Sequence, residues 1–440
     1  MREIVFIVFI AGAIPFIVMR PYIGLLVWSW LSYMNPYRFT YGFAYSFPWV
    51  ELIAIVTLGS FIFSKESKKL PWSVTSVLML VFLLWTGLTT VFAVMPHPAW
   101  LKWQEFAKEM IMVFMTFILV NNRTRMRWLV WMIVVSLGFF GIKGGLFTLS
   151  RGGVSHVFGP PGSFIADNNA LALALCLTLP LMRYLQLSSS HRLVRIGLGI
   201  GMLLTGIAVL GTYSRGGLIG LVIVAGALFL RSRRRLMVAA VAVVVGFAAF
   251  HFMPAQWVAR MDTLHYASTT DSGETRIQSW EFAANVALHR PLTGGGFEVY
   301  QSDAMWRAYG PEGAIPRAIH SIYFRTLGEQ GFIGLGLFLA LLLVSWRNCG
   351  KVRKRTRRIP DMQWAHDLAS MLEVSLLAYL VAGAFLPIPY FGVAYQLMAL
   401  SAILAGYCVQ DIAGQQFAEI RGPVAATGTK WSSVNTLRDL

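Results

Sequence analysis

Apolar residues come in long uninterrupted blocks along this chain, separated by short polar connectors. Continuous runs fill 3–34, 48–64, 72–94, 104–120, 128–149, 164–185, 195–211, 214–230, 236–253, 319–346, 367–386 and 389–410. A helix crosses a hydrocarbon core of ~30 Å with about 20 residues, so these blocks predict about twelve membrane spans. Strands of a membrane barrel would instead alternate apolar and polar positions over about 10 residues. Pro15 and the Arg20–Pro21 pair interrupt the first block, which is one broken helix or two short ones. Arg20 is costly at mid-span and needs a headgroup or a protein interior around it. The single long polar interval is 254–318.

Composition agrees. Hydrophobic residues make up 56% of the 440 and charged residues 13%, where a soluble domain carries about 25% charged. The expected fold class is all-α, a polytopic integral membrane protein whose spans satisfy their own backbone hydrogen bonds. Four regions follow: transmembrane helices over 1–253, a loop with amphipathic helices over 254–318, transmembrane helices over 319–410 and a tail over 411–440. The first block lacks a signal-peptide cleavage pattern and reads as a retained span. Cys176, Cys349 and Cys408 lie in or beside apolar blocks, which indicates neither a disulfide framework nor a metal cluster.

The net charge of +17 changes the picture through its placement. Basic clusters at Lys65/Lys68/Lys69, Arg123/Arg125/Arg127, Arg183/Arg192/Arg195, Arg231/Arg233/Arg234/Arg235 and Arg347 through Arg358 fall on one side when the spans alternate. The positive-inside rule makes that side cytoplasmic, and assigns the charge to topology and acidic lipid rather than to nucleic acid. The tail from Asp411 is then cytoplasmic and expected to be loose. The loop 254–318 faces outward.

Basic residues on that outer side, Lys102, Lys143, Arg151 and Arg215, need a different explanation, and an anionic ligand supplies one. Arg215 stands in GTYSRGGLIG, where a helix start would combine its guanidinium fork with free backbone N–H groups as a phosphate cradle. A snorkelling interface arginine is the competing reading. Within the loop, Ser272 or Thr275 is expected to cap a helix on which Ile277, Trp280, Ala284 and Leu288 recur at helical spacing. Arg276 opens that helix, His289–Arg290–Pro291 closes it, and Thr293–Gly294–Gly295–Gly296 reads as a flexible stop. His320 begins the next span, where Gly328, Gly331 and Gly334 form a stripe for close approach of a helix or lipid chain. On a helix Tyr323 and Phe324 would share its side, whereas Glu329 would point away and pair elsewhere. An ordinary histidine pKa near 6.5 suits general-base work, against the plainer reading of a polar helix end.

No Walker A sequence, dinucleotide fingerprint or H-E-x-x-H is present, and the outer carboxylates do not pair as a nucleotide-sugar metal site would. Cationic side chains would then replace a metal at the leaving group, with no cofactor. A lipid-linked diphosphate sugar fits: tail in the bilayer, phosphates at the interface, glycan in water.

The order of TYSRGG, R-x-x-x-W, H-R-P-L-x-G-G-G-F and H-S-x-Y-F-x-x-L-G-E-x-G-x-x-G-L resembles the O-antigen ligase superfamily. The stretch from Gly159 to Leu175 and the opening from Arg20 to Trp49 resemble its exosortase-associated putative O-glycosylation ligase branch. The resemblance spans Arg20 to about Gly406. It implies a GT-C-type glycosyltransferase, multi-pass in the bacterial inner membrane, with its active site on the periplasmic side. The implied reaction moves a glycan from undecaprenyl diphosphate to lipid A–core, without metal or ATP and with inversion. The family's turn arginine falls on Arg215, the R-x-x-x-W arginine on Arg276 and the histidine on His320, with Arg290 assisting at the diphosphate. Lys143, Asn168 and Asn169 are further residues to test. A polymerase or protein O-oligosaccharyltransferase uses the same donor, and a polysaccharide transporter is the non-enzymatic alternative, disfavoured by the absence of an inverted repeat.

Overall fold

The structure, a computed structural model, describes residues 1–231 and 271–421. The predicted span 236–253, the first part of the loop (254–270) and tail residues 422–440 lie outside the described residues. Among those described, all regular structure is helical: α1 (Arg2–Met19), α2 (Pro21–Met34), α3 (Phe43–Ser46), α4 (Trp49–Phe63), α5 (Val74–Val91), α6 (Pro96–Leu119), α7 (Arg123–Ser150), α8 (Asn168–Ser188), α9 (Arg192–Gly211), α10 (Arg215–Arg231), α11 (Asp271–His289), α12 (Asp303–Tyr309), α13 (Ile322–Thr356), α14 (Gln363–Gly383) and α15 (Gly392–Arg421). Eight of the described helices are long and apolar enough to cross a membrane. Three further predicted spans are short, with 14, 15 and 17 residues in α2, α4 and α10. The remaining predicted span among the described residues, α6, is long enough but carries Lys102, Glu105, Lys108 and Glu109. The protein is an all-α polytopic membrane protein.

The first block is two helices, not one. Pro21 sits at the first position of α2, where its missing N–H costs nothing, and Arg20 between them is extended at φ −144°. The two fold back on each other. Phe9 meets Trp30 at 5.1 Å and Phe6 meets Trp49 of α4 at 5.2 Å. At the other end Ser60 Oγ donates to the Ile17 carbonyl at 2.7 Å. Gly24 fits there because a Cβ would stand 2.3 Å from Thr57 Oγ1.

At the centre lies α8, buried on all sides from Ala170 to Met182. A helix apolar all round is a core helix, and α7, α9, α10 and α14 pack on it. Its burial fixes its polar N-terminus in the middle of one end of the bundle. The opposite end gathers the basic clusters, so far as their residues lie among those described. There Arg125 pairs with Glu66, Arg231 and Arg353 share Glu373, and Arg123 lies 5.0 Å over the Trp364 ring. The tail differs from expectation, because α15 continues as helix to Arg421 and so includes the first residues past Asp411.

The loop forms a layer with its own small core of Phe282, Ala283, Val286, Val299, Met305, Trp306 and Ile319. Phe282 stacks on Trp306 at 4.2 Å. Ser272 and Thr275 lie inside α11 rather than capping it. Its inward face is Ser279, Phe282, Ala283, Val286 and Ala287, while the predicted stripe points outward at Ile277 and Leu288, with Trp280 and Ala284 half-buried.

The glycine run is docked, not flexible. Within α13, Gly331 has φ 69° and ψ −172°, which breaks the helical hydrogen-bond ladder. The freed Gly328 and Glu329 carbonyls accept from the N–H groups of Gly295 (2.8 Å) and Gly296 (2.9 Å), and Phe332 N–H donates to Pro291 (2.9 Å). A Cβ on Gly331 would stand 2.3 Å from the Leu292 carbonyl oxygen. The glycines of α13 therefore admit a helix as expected at Gly328, where a Cβ would stand 3.0 Å from that of Ala283 in α11, and the loop at Gly331.

Candidate active site

Arg215 is the first residue of α10, at the end of a turn built without slack. Tyr213 takes the left-handed conformation at φ 57°, an uncommon state for a residue with a Cβ. Its hydroxyl donates to the Gly153 carbonyl at 2.5 Å and its ring lies edge-on to His156 at 4.2 Å. Asn168 Nδ2 donates to the Thr212 carbonyl at 2.8 Å. Ser214 Oγ donates to Asn169 Oδ1 at 2.7 Å and accepts from Gly217 N–H at 3.0 Å, which caps α10. The N-terminus of α8, itself capped by Asp167 accepting from Asn169 N–H at 2.8 Å, thus holds the turn that carries Arg215. The neighbouring glycines have packing roles: a Cβ on Gly217 would stand 2.5 Å from that of Ala172, and one on Gly216 3.1 Å from Leu386 Cδ2. Their presence does not by itself point to a ligand.

His320 is not on a helix. It precedes Ser321, the N-cap of α13, so helical angles do not relate it to Tyr323 and Phe324. The R-x-x-x-W segment fixes it instead. Trp280, one turn beyond Arg276, donates its indole N–H to the His320 carbonyl at 3.3 Å and stacks on Phe324 at 5.2 Å and 5°. Burial, and then the positive charge of Arg276, push the His320 pKa down to about 4; Asp167 opposes this and Arg325 adds to it. His320 is therefore a neutral imidazole at pH 7. Its Nδ1 is buried and finds no hydrogen-bond partner among the described residues, so the protein leaves that nitrogen's capacity unused.

A buried ionic cluster, which the pattern of residues did not disclose, lies just beyond. Arg325 donates to Glu298 at 2.7 Å, to Glu329 at 3.0 Å and to the Pro387 carbonyl at 2.6 Å. Burial pushes the Glu298 carboxyl up, but Arg325 with hydrogen bonds from Tyr300 and Gln301 holds it below the ordinary carboxylate value. Glu329 does pair away from His320, as expected; its partner is Arg325.

Three of these parts converge on the turn between α14 and α15. Trp280 meets Phe385 at 6.5 Å, Gly216 packs on Leu386 and Arg325 binds Pro387. The turn of Arg215, the helix of Arg276 and the residue His320 therefore share one end of the bundle. Arg290 differs: its guanidinium donates to the Phe92 carbonyl at 2.7 Å, beyond the end of α5. Lys143 is also elsewhere, with its ammonium 5.2 Å from the Phe39 ring centroid. Asp167, which reasoning from the sequence passed over, acts on His320; the Asp-Asn-Asn helix start was its only signal. Among the described residues no group of three or more His, Cys, Asp or Glu side chains is arranged to hold a metal.

Residues 200–339 match the model of the family described as O-Antigen ligase (Wzy_C), and residues 1–190 match that of a family of unknown function (DUF5935). The first match encloses Arg215, Arg276, Arg290, His320 and Arg325. No curated protein matches.

Proposed function

We propose, from a multi-pass membrane protein whose residues 200–339 carry an O-antigen ligase family domain, that the chain is an inverting O-antigen ligase. It transfers a glycan from undecaprenyl diphosphate to lipid A–core on the periplasmic face of the bacterial inner membrane. The observation that carries this reading is the meeting of Arg276, Asp167 and His320 beside the Ser214–Asn169 contact, at the end of the bundle opposite the basic clusters.

Each part has a role in the step. Arg215 and Arg276 bind the donor diphosphate, and their guanidinium forks match its oxygens. As the anomeric C–O bond breaks, negative charge grows on the leaving diphosphate and both arginines stabilise it without reorganising. The acceptor hydroxyl attacks from the opposite face, which inverts the anomeric carbon. His320, neutral before reaction, orients that hydroxyl and takes its proton as the new C–O bond forms. The depressed pKa makes it a weak base in the free protein; the incoming diphosphate, a nearby negative charge, raises it. Arg290 supports the loop through Phe92 and assists the diphosphate only at second hand. No divalent metal enters the scheme, and excess chelator leaves the rate unchanged.

The test separates donor binding from transfer. Arg215→Lys and Arg215→Ala lose donor binding and transfer, whereas His320→Ala keeps donor binding and loses transfer by about 10²–10⁴-fold. Full transfer by Arg215→Lys at normal expression would withdraw the phosphate role. Loss of long glycan from lipopolysaccharide in a knockout, with lipid-linked polymer retained, identifies a ligase. Failure to lengthen the lipid-linked glycan would mean a polymerase instead.

A further inference from the structure

At the basic end, a cavity of about 760 Å³ opens between the first turns of α2 and α7 and the side of α15. Arg20, Tyr22, Leu26, Arg123, Trp128 and Tyr407 are among its walls. It is remote from the site above. Helix α7 starts at the cavity, and its far end, 28 residues on, reaches Gly153, the acceptor for Tyr213; at 1.5 Å per residue that is about 40 Å.

The charges here are of two kinds. Arg125 is spent: Glu66 neutralises it, and it also donates to the Leu119 carbonyl at 2.8 Å. Arg20 and Arg123 are not. Among the described residues Arg20 and Arg123 make no side-chain hydrogen bond or ion pair, and Arg123 lies 5.0 Å over the Trp364 ring. Two unneutralised guanidinium groups thus border one cavity, and both side chains are exposed. Tyr22, Ile23, Leu26, Trp128 and Tyr407 form an apolar and aromatic stretch of wall, and Asn122 and Thr124 add a polar edge. Tyr22 is held by its hydroxyl donating to the Arg125 carbonyl at 2.7 Å, and Trp128 is 57% exposed on a membrane-spanning helix. A half-exposed tryptophan next to basic residues at a helix end marks the headgroup level of a bilayer.

We propose that this cavity binds an acidic phospholipid, with its phosphate between Arg20 and Arg123 and an acyl chain along Leu26 and Trp128. Basic pockets between transmembrane helices recognise anionic headgroups in this way. A free anion would engage the arginines but has no use for the apolar walls. A zwitterionic lipid would fill the walls but bring a second positive charge to the arginines. The proposal does not depend on the reaction proposed above.

The probe is phosphatidylglycerol, added to the full chain in non-ionic detergent, with binding read by native mass spectrometry and by the thermal midpoint. Arg20→Gln/Arg123→Gln weakens binding roughly 30-fold, at about fivefold per arginine near the surface. Lys65→Gln/Lys69→Gln, two charges removed from the same end but outside the cavity, leaves it near the parent value. If the first pair fails to fold, Arg20→Gln alone, an exposed side chain without a partner, carries the test with a fivefold loss. Equal losses in the two pairs would mean diffuse attraction and overturn the proposal. So would equal binding of phosphatidylcholine, or a match by inorganic phosphate alone.

Discussion

The indole N–H of Trp280 donates to the backbone carbonyl of His320 across 3.3 Å. Forty positions apart in sequence, the two residues tie the helix that carries Arg276 to the segment that carries the imidazole. The ring of Trp280 stacks on Phe324 in the first turn of α13, so the tie is rigid. Trp280→Ala removes both contacts and shifts Arg276 relative to His320. Misplacement of about 1 Å costs about 10²-fold, and glycan transfer in membranes should fall by that order with expression retained. Trp280→Phe keeps most of the stack and should fall less.

The depressed His320 pKa sets a pH profile. Protonation of the free protein occurs near pH 4, so kcat/KM should be flat from about pH 5 to 8 and fall below about 4. Arg276 is a positive charge that lowers this pKa; its removal raises it. In Arg276→Gln the acid limb of whatever activity remains should therefore move to higher pH. An unchanged limb would separate the two residues electrostatically.

Glu298 and Glu329 together compensate a buried arginine. Removing one partner of a buried ion pair costs about 3–5 kcal/mol, because the other charge is left in low dielectric. With Glu329 still in place, Glu298→Ala should lie at the lower end of that range. The thermal midpoint in detergent reads it directly, and Glu298→Gln, which keeps hydrogen bonding, should fall between the two.

Gly331→Ala puts a Cβ on a residue at φ 69° and against the Leu292 carbonyl. The left-handed strain alone is about 1–3 kcal/mol, and the clash adds to it. Gly336→Ala, five residues on in the same helix, meets nothing within 4 Å; it should be neutral or slightly stabilising, since alanine favours helix. Comparing the two thermal midpoints isolates the kink.

Sidedness is testable with single cysteines, because Cys176, Cys349 and Cys408 are all buried. Asp303 in the loop and Lys354 near the end of α13 are exposed. In intact cells an impermeant thiol reagent should label Asp303→Cys and spare Lys354→Cys. The reverse would invert the topology and move the proposed reaction to the other face.

Much of the helical bundle was legible because the length of an apolar run is itself the physical requirement for a span. The antiparallel pair α1–α2 stayed open in the sequence: Arg20–Pro21 marks a break, but only the contacts of Phe9 and Ser60 show which way the chain turns. The glycine run at 294–296 was misread as slack. Glycine encodes permission for unusual backbone angles and says nothing about whether the chain uses that freedom or is pinned in it, as the Gly328 and Glu329 carbonyls pin it here. Arg325 and Glu329 are one helical turn apart and could have been paired on paper. Glu298, 27 residues upstream of Arg325, could not, since a long-range ion pair leaves no spacing rule. The motif positions Arg215, Arg276 and His320 were read from their order. The reason they sit together is supplied by Asn168 and Trp280, which bond to backbone carbonyls that sequence does not label, and by Asp167 and Asn169, whose partners lie far along the chain.

The docking of Pro291–Gly296 into the break at Gly331 has a practical consequence for protein engineering. The loop and the helix that receives it are complementary halves of one joint, like a tenon and its mortise. A chimera that exchanged 254–318 alone between relatives, to alter acceptor choice, would set a foreign tenon against Gly328, Glu329 and Gly331. The transplantable unit runs instead from before α11 through Phe332, with the Phe92–Val94 segment that accepts from Arg290 and donates to Gly295 matched to it.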